Sequence, residues 1–429
     1  MTDLRHNTFL PDVSFARGTG AVPLSVEVLS HAARYAYDRP PSADIVVLES
    51  VDAMTPYLDS IDELAHASID TNPQFESATL AASMEHLQGR APVKVALVWS
   101  EPGGGARMLT GVIPYKASAW HFGVPLPVWS LWEHLHSYTV TPLLRAGHER
   151  HAMRRFLAYA DLSGAALVQF PLFEADGAFD AAFEEVLRER GHLWRETDRH
   201  ERAFLQSDLD EEAYLAAHLR KKKRKEFSRL WNRLAEQGEL AFAMHDGGPG
   251  RDAWVQRFLM LEAAGWKGKR GTAMKVRPHE RAWFEAICAG AGARDQLVCT
   301  ELTLDGKPVA MLASFRAGRG LYTFKIAFDE AYAKYSPGTL LMLKGIGAFL
   351  ADPRIDWVDS CAIPGHPMID HIWVQRRAMR SVSVATGHPA ASAVLSWSVA
   401  MTRLVEDARA KLRVLYYRIR KEIENDKDD

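Results

Sequence analysis

The chain contains 429 residues, of which 47% are hydrophobic and 25% are charged. A chain of this length and composition is expected to fold as roughly two domains of about 100–200 residues each. Its 52 basic and 54 acidic residues give a formal net charge of -2, so the overall charge does not favour DNA as a partner.

Neither a secretory signal nor a membrane-spanning segment is predicted. The stretch from Met1 to Val13 lacks the apolar run of a signal peptide, and no stretch reaches the roughly 18 apolar residues of a spanning helix. The three cysteines, Cys288, Cys299 and Cys361, are spaced too widely for a disulfide framework or a zinc site. We therefore expect a cytoplasmic protein with reduced thiols and no metal.

The N-terminal half contains a sparse series of predicted elements. Two apolar runs around Gly103-Gly104-Gly105 predict a β-hairpin, and other runs predict two more strands and one helix. The predicted strands are Asp44–Glu49, Val93–Trp99, Arg107–Tyr115 and Ala165–Phe170, and the predicted helix is Phe179–Arg190.

The C-terminal half gives a clearer order of elements. Asp208 or Asp210 can cap a long helix that ends at Gly238, and Asp305-Gly306 predicts a two-residue hairpin turn. The predicted strands are Arg202–Gln206, Glu239–Met244, Gln296–Leu304, Pro308–Arg316, Leu321–Phe328, Ile355–Cys361 and Ser381–Ala385. The other predicted helices are Trp254–Ala264, one that follows Pro278, Ser336–Leu350 and Pro367–Met379. This order predicts an α/β fold with a mixed sheet.

The two halves share a similar order of strand, turn and helix. Thr141-Pro142-Leu143-Leu144 stands in the first half where Ser336-Pro337-Gly338-Thr339-Leu340-Leu341 stands in the second. This similarity predicts a duplicated unit, with chance resemblance as the alternative. We expect an N-terminal lobe over residues 1–200, a C-terminal lobe over residues 201–390 and an amphipathic helix over residues 391–429.

An apolar stripe marks that last helix. Its members are Leu404, Ala408, Leu412, Leu415, Ile419 and Ile423. Basic residues flank the stripe. Packing against the protein's own body is the first expectation, and contact with a partner or a membrane surface is the alternative.

The helix start at Ser336 is the first candidate site. A helix N-terminus offers unpaired N–H groups and a partial positive charge, and Gly338 lets an anion approach the backbone closely. The phosphates of an activated donor are therefore predicted to bind there. The alternative is an ordinary Pro-Gly helix start with Ser336 as its cap.

Asp359 and His366 are the second candidate site. Asp359 lies near the end of a predicted strand, and His366 follows it after a short stretch. A carboxylate beside a histidine can accept a proton from an amine or a hydroxyl, so both are candidate general bases. On this hypothesis Asp359→Asn cripples turnover but leaves donor binding intact. Capping of a turn by Asp359 and of the next helix by His366 is the alternative.

Three further motifs are charged or rich in glycine. The stretch Gly265–Ala273 is predicted to be a mobile acceptor-binding loop, with a solvent loop anchored by Trp266 as the alternative. The run Arg220–Lys225 places six basic residues in a helix, and these are either solvated surface or contacts for phosphate. The pair His134 and His136 lacks further ligands at metal spacing.

Several of these motifs together resemble a known family. The matching stretches are Arg220–Leu234 before Gly238, Gly265-Trp266-Lys267-Gly268, Gly271-Thr272-Ala273, Leu304-Asp305-Gly306-Lys307-Pro308, Ala327-Phe328-Asp329, Tyr335-Ser336-Pro337-Gly338-Thr339, and Asp359-Ser360-Cys361-Ala362 with His366-Pro367-Met368. Over Leu219 to Arg377 the chain resembles the CelD-like branch of the GNAT acetyltransferases, distant relatives of the Fem-type aminoacyltransferases. Members of this branch commonly carry two GNAT-like lobes.

The resemblance implies a GNAT-type acyltransferase with acyl-CoA, such as acetyl-CoA, as co-substrate. The donor would lie where the strands Leu321–Phe328 and Ile355–Cys361 splay apart, and its acceptor would be a small molecule or part of a glycan or lipid-linked molecule. The residues implied to bind the donor are Ile326, Ala327, Ser336, Gly338, Thr339 and Leu340. Those expected to contact the acceptor are Trp266, Lys267 and Thr272.

One departure from the family pattern keeps other hypotheses open. The usual GNAT phosphate loop has Gln or Arg followed by Gly-x-Gly or Gly-x-Ala, whereas this chain has Tyr335-Ser336-Pro337-Gly338-Thr339. A Fem-type ligase that takes aminoacyl-tRNA is the second hypothesis, and the basic run Arg220–Lys225 would suit an RNA donor. A non-catalytic pair of lobes that serves as a scaffold in polysaccharide assembly is the third.

Overall fold

The computed structural model describes residues 44–425 except 90, 102–104 and 389, and it describes no side chains at 406, 407, 409, 410 or 413–425. Several predictions fall outside this part of the chain. They concern the stretch from Met1 to Val13, the turn residues Gly103 and Gly104, and the side chains of Leu415, Ile419 and Ile423.

Strands and helices alternate through the described residues, with short 3-10 turns between some of them. The strands are β1 (Ile45–Leu48), β2 (Lys94–Ser100), β3 (Met108–Ser118), β4 (Val128–Leu131), β5 (Leu143–Leu144), β6 (Leu167–Glu174), β7 (Trp194–Leu205), β8 (Leu240–Asp246), β9 (Leu297–Leu304), β10 (Lys307–Ala317), β11 (Gly320–Phe328), β12 (Trp357–Asp359) and β13 (Gln375–Ala385). The helices are α1 (Val51–Met54), α2 (Leu58–Ala67), α3 (Ser77–Leu87), α4 (Glu149–Leu162), α5 (Ala178–Glu189), α6 (Glu211–His218), α7 (Lys221–Ala235), α8 (Arg251–Ala264), α9 (Trp266–Lys269), α10 (Pro278–Gly292), α11 (Pro337–Ala351) and α12 (Ala391–Asn425).

The described strands form one sheet in the order β1-β2-β3-β4-β6-β13-β7-β12-β11-β10-β9-β8, with β5 paired to β3. This order contains the same unit twice, since β13 and β7 meet at the centre and six strands lie on each side of their junction. Each unit has one parallel pair, β4 with β6 and β11 with β12, at the same distance from the centre. The structure therefore confirms the mixed α/β fold and the two repeated lobes.

Two central strands join the lobes. β7 and β13 pair antiparallel from Phe204 opposite Gln375 to Trp194 opposite Val384. β7 also pairs with β12 of the C-terminal lobe, and β13 also pairs with β6 of the N-terminal lobe. The predicted boundary between residues 200 and 201 thus falls inside β7, a strand that both lobes use.

Strand directions place two helices at one edge of the sheet. β12 and β13 both run antiparallel to β7, so they point the same way, and β11 is parallel to β12. The C-terminal ends of β11 and β13 consequently lie at the same edge. From that edge β11 leads to α11, and β13 leads to α12.

Different helices cover the two faces of the sheet in the C-terminal lobe. One face packs against α6, α7 and α11, and the other packs against α8 and α10. α11 is buried on most of its sides, including Leu341, Ile346 and Phe349, each of which has no exposed surface. This burial explains why the stretch after Ser336 forms a helix although it is apolar nearly all round.

The predicted helix Pro367–Met379 is wrong, because β13 already begins at Gln375 and only a short 3-10 turn precedes it. Arg377 of this strand forms a buried ion pair with Asp359 of β12. Such tertiary partners decide the conformation here, and they cannot be read from the local helical pattern.

Two other helix predictions also fail in part. The helix predicted to end at Gly238 is interrupted at Arg220, whose ψ of 141° separates α6 from α7. The stretch Thr141-Pro142-Leu143-Leu144 does not open a helix, since its two leucines form β5 and α4 begins only at Glu149. The lobes are repeated, but the turn that suggested the repeat is not equivalent in the two halves.

Among its described side chains, the C-terminal helix packs on the body at its beginning. Ala391, Val394 and Val399 are buried, whereas Leu404 and Leu412 are 60% and 64% exposed. The predicted packing of the apolar stripe is therefore wrong for these two leucines. Among the described helices, none combines the length and the apolar character needed to cross a membrane.

Candidate active site

An open wedge lies between β11 and β12. The two strands pair in parallel only from Gly320 opposite Trp357 to Tyr322 opposite Asp359, while β11 continues to Phe328. The hydroxyl of Thr323 closes the narrow end of the wedge, because it donates to the carbonyl oxygen of Ser360 at 2.7 Å. Beyond that point, the side of β11 that faced β12 has no strand partner among the described residues.

A β-bulge at Phe324 sets the orientation of β11 along the wedge. The register against β10 shifts there, with Ala313 opposite Lys325 and Ser314 opposite Thr323. An extra residue in one strand re-aims the neighbouring side chains. Phe324 and Lys325 both lie towards α8 and α10 as a result, where Phe324 contacts aromatic rings of α10 and Lys325 approaches a carboxylate of α8.

The direction of the backbone N–H groups on β11 follows from its pairing with β10. The N–H of Asp329 donates to the carbonyl oxygen of Val309 at 2.9 Å. Because N–H groups alternate in direction along an antiparallel ladder, the N–H of Ala327 also points to β10, and those of Ile326 and Phe328 point into the wedge. Ile326 thus has the orientation that a donor to a thioester carbonyl needs. The same role for Ala327 is wrong, since the sheet already uses its N–H.

The start of α11 borders the wedge. Ser336 adopts a left-handed conformation (φ 55°, ψ 54°), Pro337 occupies the first helical position, and no side chain caps the helix. The amides of Gly338 and Thr339 therefore lack a capping partner, as the donor hypothesis requires. Leu340 does not fit its predicted role in phosphate binding, because its N–H donates to the carbonyl oxygen of Ser336 at 3.1 Å.

Gly338 is buried beneath apolar side chains. A methyl group added at this position would lie 3.5 Å from Cδ1 of Ile326, 3.7 Å from Sδ of Met368 and 3.7 Å from Cδ1 of Phe328. These are ordinary van der Waals distances, so alanine fits without strain. A methyl group at this position would lie between the helix start and the flexible side chain of Met368.

Gly338→Ala is therefore expected to separate stability from donor binding. Alanine should keep or raise the free energy of unfolding, by up to about 1 kcal/mol, because it restricts the unfolded chain. It should also weaken coenzyme A binding roughly tenfold if the phosphates approach the amide of residue 338, as isothermal titration would show. Gly248→Ala, at a position with open space around it, is the matched control: it restricts the unfolded chain in the same way but should leave coenzyme A affinity unchanged. Equal coenzyme A affinity in both variants would exclude Gly338 from the donor site.

The predicted acceptor loop is fixed to the helix start by one carboxylate. The backbone N–H of Trp266 donates to Glu330, and Nζ of Lys269 lies 2.8 Å from the same carboxylate. The segment forms α9 and is followed by a 3-10 turn (Met274–Val276). Between the two, the hydroxyl of Thr272 donates to the carbonyl oxygen of Lys267 at 3.2 Å. Because Glu330 lies in the turn after β11, the predicted acceptor and donor segments are neighbours in the structure.

A buried carboxylate connects this loop to the bulge. Glu262 of α8 is 3% exposed and accepts from the N–H of Met274 at 2.9 Å. Its Oε1 lies 3.3 Å from Nζ of Lys267 and 3.8 Å from Nζ of Lys325. Burial lowers the pKa of Lys325 to about 8, and the nearby charge of Glu262 opposes this shift. Lys325 and Glu262 therefore form a largely buried pair of opposite charges beside the wedge.

Sequence reasoning missed both members of this pair. Lys325 interrupts the apolar strand Leu321–Phe328, and a charge in such a strand is a signal that would have marked it. Glu262 carried no such signal, since a glutamate in a helix is ordinary. Only the tertiary structure shows that Glu262 is buried.

A segment of the N-terminal lobe completes the site. The chain between β4 and β5 crosses to the C-terminal lobe, where the ring of His136 stacks on Trp283 of α10 with 4.6 Å between centroids. Nε2 of His136 lies 3.0 Å from Oε2 of Glu280, and Arg277 holds the other oxygen of Glu280 at 2.7 Å. Burial lowers the pKa of His136 to about 4, so its ring is neutral at pH 7.

Asp359 does not fit the general-base role that its sequence context suggested. Its side chain has no exposed surface, and its Oδ2 accepts from Arg202 at 2.7 Å and from Arg377 at 3.0 Å. Its Oδ1 accepts from the N–H of Cys361 at 2.8 Å. Burial alone would raise the pKa of Asp359, but the two guanidinium groups outweigh burial and lower it. The carboxylate is a permanently charged link between β12 and the two central strands.

Among the described contacts, no hydrogen bond joins His366 to Asp359. Its Nδ1 accepts from the N–H of Met368 at 3.3 Å and, at the limit of hydrogen-bond distance, from that of Ile369 at 3.5 Å. The ring thus bonds to the backbone just before the 3-10 turn Ile369–His371, and the helix that the sequence expected it to cap does not form. Burial lowers the pKa of His366, which favours the neutral ring that such an acceptor requires.

Comparison with known proteins agrees with this arrangement. The family model described as acetyltransferase (GNAT) domain matches residues 221–363, which extend from α7 to just beyond β12. FemX has the same fold: it is 9% identical, the match covers 79% of this chain and 98% of FemX, and the TM-score is 0.51. No curated protein matches the sequence.

Two further solved structures match with lower TM-scores. A conserved protein of unknown function from Bacteroides thetaiotaomicron is 13% identical over 80% of this chain and 99% of its own, with a TM-score of 0.49. A tandem GNAT protein from the clavulanic acid biosynthesis pathway is 14% identical over 80% of this chain and 98% of its own, with a TM-score of 0.39. Within this chain, the wedge, the helix start and the Lys325–Glu262 pair all lie inside the GNAT acetyltransferase domain match.

Proposed function

We propose that the protein transfers an acyl group, in the simplest case acetyl, directly from acyl-CoA to an amine or hydroxyl of a sugar-containing or lipid-linked acceptor. The observation that carries this proposal is the wedge beyond Tyr322 and Asp359, which has inward N–H groups on one side and the uncapped start of α11 at its mouth. The resemblance to the CelD-like branch supports a role in polysaccharide metabolism in the cytoplasm.

The donor half of the reaction uses backbone groups. The N–H of Ile326 would donate to the thioester oxygen as negative charge develops on it, and the amides at the start of α11 would hold the phosphates. The apolar side chains of Phe328 and Met368, both partly buried, would line the path of the acyl carrier. Holding both substrates in attack geometry can supply roughly 7–11 kcal/mol of the barrier.

The acceptor half uses Lys325 as the proton acceptor. In its neutral form, the amine of Lys325 would take the proton that the attacking amine or hydroxyl loses, and a general base of this kind contributes about 10²–10⁴-fold in rate. Glu262 keeps the pKa of Lys325 near 8 rather than lower. The ammonium of Lys267 and the ring of Trp266, which is 44% exposed, would position the acceptor.

Donor binding and thiol release test this proposal directly. Coenzyme A at about 100 times its Kd should raise the free energy of unfolding by about 2.7 kcal/mol, visible in a thermal-shift assay. Acetyl-CoA with glucosamine as a probe acceptor should release free thiol, measured with a thiol reagent. If neither coenzyme A nor acetyl-CoA shifts the transition, acyl-CoA is not the donor.

A Fem-type ligase is the second candidate, since α7 concentrates positive charge. Lys221, Lys222 and Lys225 are exposed, and the first turn of α7 contains no acidic residue. Their charges add to the positive end of the helix dipole. An aminoacyl-tRNA donor would use such a surface for its phosphates.

Replacing these three lysines with glutamine is expected to distinguish the donors. If the donor is aminoacyl-tRNA, its binding should depend less on salt. The slope of the logarithm of the binding constant against the logarithm of the salt concentration should decrease by about one for each phosphate that a lysine no longer neutralises. Coenzyme A affinity should stay the same, because α7 lies outside the wedge. A wild-type protein that charged tRNA does not stabilise would exclude the Fem-type reaction.

A further inference from the structure

A loop with exposed apolar residues joins β3 to β4. Trp120 is 62% exposed, and Phe122 and Val124 are each 40% exposed. Exposed large side chains are normal when scattered singly, but three within five residues form a patch. Because β4 is parallel to β6 and β6 is antiparallel to β13, this loop lies at the sheet edge where β13 ends.

The loop is attached to the start of α12. Nε2 of His121 lies 2.7 Å from Oγ of Ser398, and the ring of Phe122 meets Trp397 edge-on with 5.9 Å between centroids. The exposed Leu404 and Leu412 follow on the same helix. The loop and the helix therefore form one continuous element, which we call the edge surface (residues 119–126 and 397–425).

The charged side chains that the structure describes in the helical part of the edge surface, Arg403 and Lys411, are both basic and exposed. Between residues 402 and 425 the sequence has seven basic residues (Arg403, Arg409, Lys411, Arg413, Arg418, Arg420 and Lys421) and four acidic residues (Glu406, Asp407, Glu422 and Glu424). The whole chain has a net charge of -2, so this excess of three positive charges is local. A basic helix with an apolar stripe, next to exposed aromatic side chains, has the properties of a segment that lies in the interface of an anionic membrane.

The edge surface and the mouth of the wedge open in the same direction. Both follow strands whose C-terminal ends lie at one edge of the sheet, β13 for α12 and β11 for the turn that leads to Ser336. Trp266, which is attached to that turn through Glu330, is also exposed there. A flat surface that contacts α12 would thus face the opening through which an acceptor enters.

We infer that the edge surface binds a bilayer that contains anionic lipid, with Trp120, Phe122, Leu404 and Leu412 inserted between headgroups and the exposed Arg403 and Lys411 facing the phosphates. Binding to the bilayer does not depend on acyl transfer. Delivery of a lipid-linked acceptor from that bilayer to the wedge does rest on the proposed function.

Sedimentation of the full chain with lipid vesicles tests the inference. The wild-type protein should bind vesicles of phosphatidylcholine mixed with phosphatidylglycerol, should bind pure phosphatidylcholine much less, and should dissociate as salt is raised. Leu404→Glu with Leu412→Glu should lower binding roughly tenfold or more, because two exposed anchors are removed and negative charge is added. Trp120→Ser with Phe122→Ser should have a similar effect through the loop.

Leu209→Glu is the matched control. Leu209 is 40% exposed but follows the C-terminal end of β7, at the opposite edge of the sheet, so its replacement should leave vesicle binding unchanged. Failure of the wild-type protein to bind anionic vesicles would overturn the inference. A dimer in light scattering that dissociates on Leu404→Glu would overturn it as well, because α12 would then be covered by a second copy of the chain. None of these measurements needs a donor or turnover, so the inference can fail while the proposed function stands.

Discussion

Asp359→Asn is expected to lower the free energy of unfolding by about 3–5 kcal/mol, the cost of removing one partner from a buried ion pair. The amide keeps the shape of the carboxylate but removes the charge that faces Arg202 and Arg377, each less than 10% exposed, and leaves Arg377 with Glu174 at 3.3 Å as its remaining acidic partner. Since these arginines belong to β7 and β13, the loss acts on the strands that join the two lobes. Urea unfolding followed by circular dichroism would measure it.

The comparison of two aspartates separates this structural role from catalysis. Asp356 pairs with Arg319 at the surface, so Asp356→Asn should leave stability nearly unchanged. Coenzyme A binding by Asp359→Asn, measured well below its unfolding temperature, should also persist, because the carboxylate does not face the wedge. Unchanged stability together with lost turnover would restore Asp359 to the role of general base.

Local sequence signals predicted most of the C-terminal lobe. Asp305-Gly306 forms the turn between β9 and β10, Asp210 caps α6 through the N–H of Ala213, and Pro337 opens α11. Each of these depends on residues within a few positions of one another. Turn and capping chemistry is local, so one sequence is sufficient to read it.

The central pair of strands could not be predicted in the same way. β7 and β13 are about 180 residues apart in the chain, and their contact is specified by partners such as Arg377 and Asp359 rather than by a local pattern. A charged strand at the centre of a sheet is also unusual, because burial of unpaired charges is costly. The local sequence therefore predicted a helix over Pro367–Met379, and its last residues instead form the start of β13.

The sequence predicted the strands, helix start and loop of the candidate site better than it predicted which charged side chains are buried there. The wedge, the start of α11 and the loop at Trp266 occur where the sequence predicted these elements, whereas the buried groups with shifted pKa values beside them are Lys325 and His136. His136 reaches the site from the other lobe, and no property of its own segment indicates that. Perturbed pKa values depend on tertiary burial, so the residues with unusual acidity become visible only in the folded protein.

Lys325→Met is expected to lower kcat/KM by about 10²–10⁴-fold while coenzyme A affinity is retained, because it removes the proposed proton acceptor and leaves the wedge intact. In the wild-type protein the rate should rise with pH and level off above about 8, since only the neutral amine accepts a proton. Glu262→Gln should move the midpoint of this rise in rate to lower pH, because the carboxylate raises the pKa of Lys325 by stabilising its ammonium form. Thiol release from acetyl-CoA across a pH series would measure both effects.

Lys325→Arg decides between the two roles that a cation at the bulge can have. A guanidinium stays protonated, so arginine should be as inactive as methionine if Lys325 takes a proton. If instead the ammonium stabilises the oxyanion, arginine should retain activity and the wild-type rate should fall above pH 8. Lys307→Met, at the exposed first residue of β10, controls for the loss of a positive charge and should behave like the wild type. A wild-type rate that is independent of pH through this range would exclude both roles, and the proton would then have to leave by way of His136 or solvent.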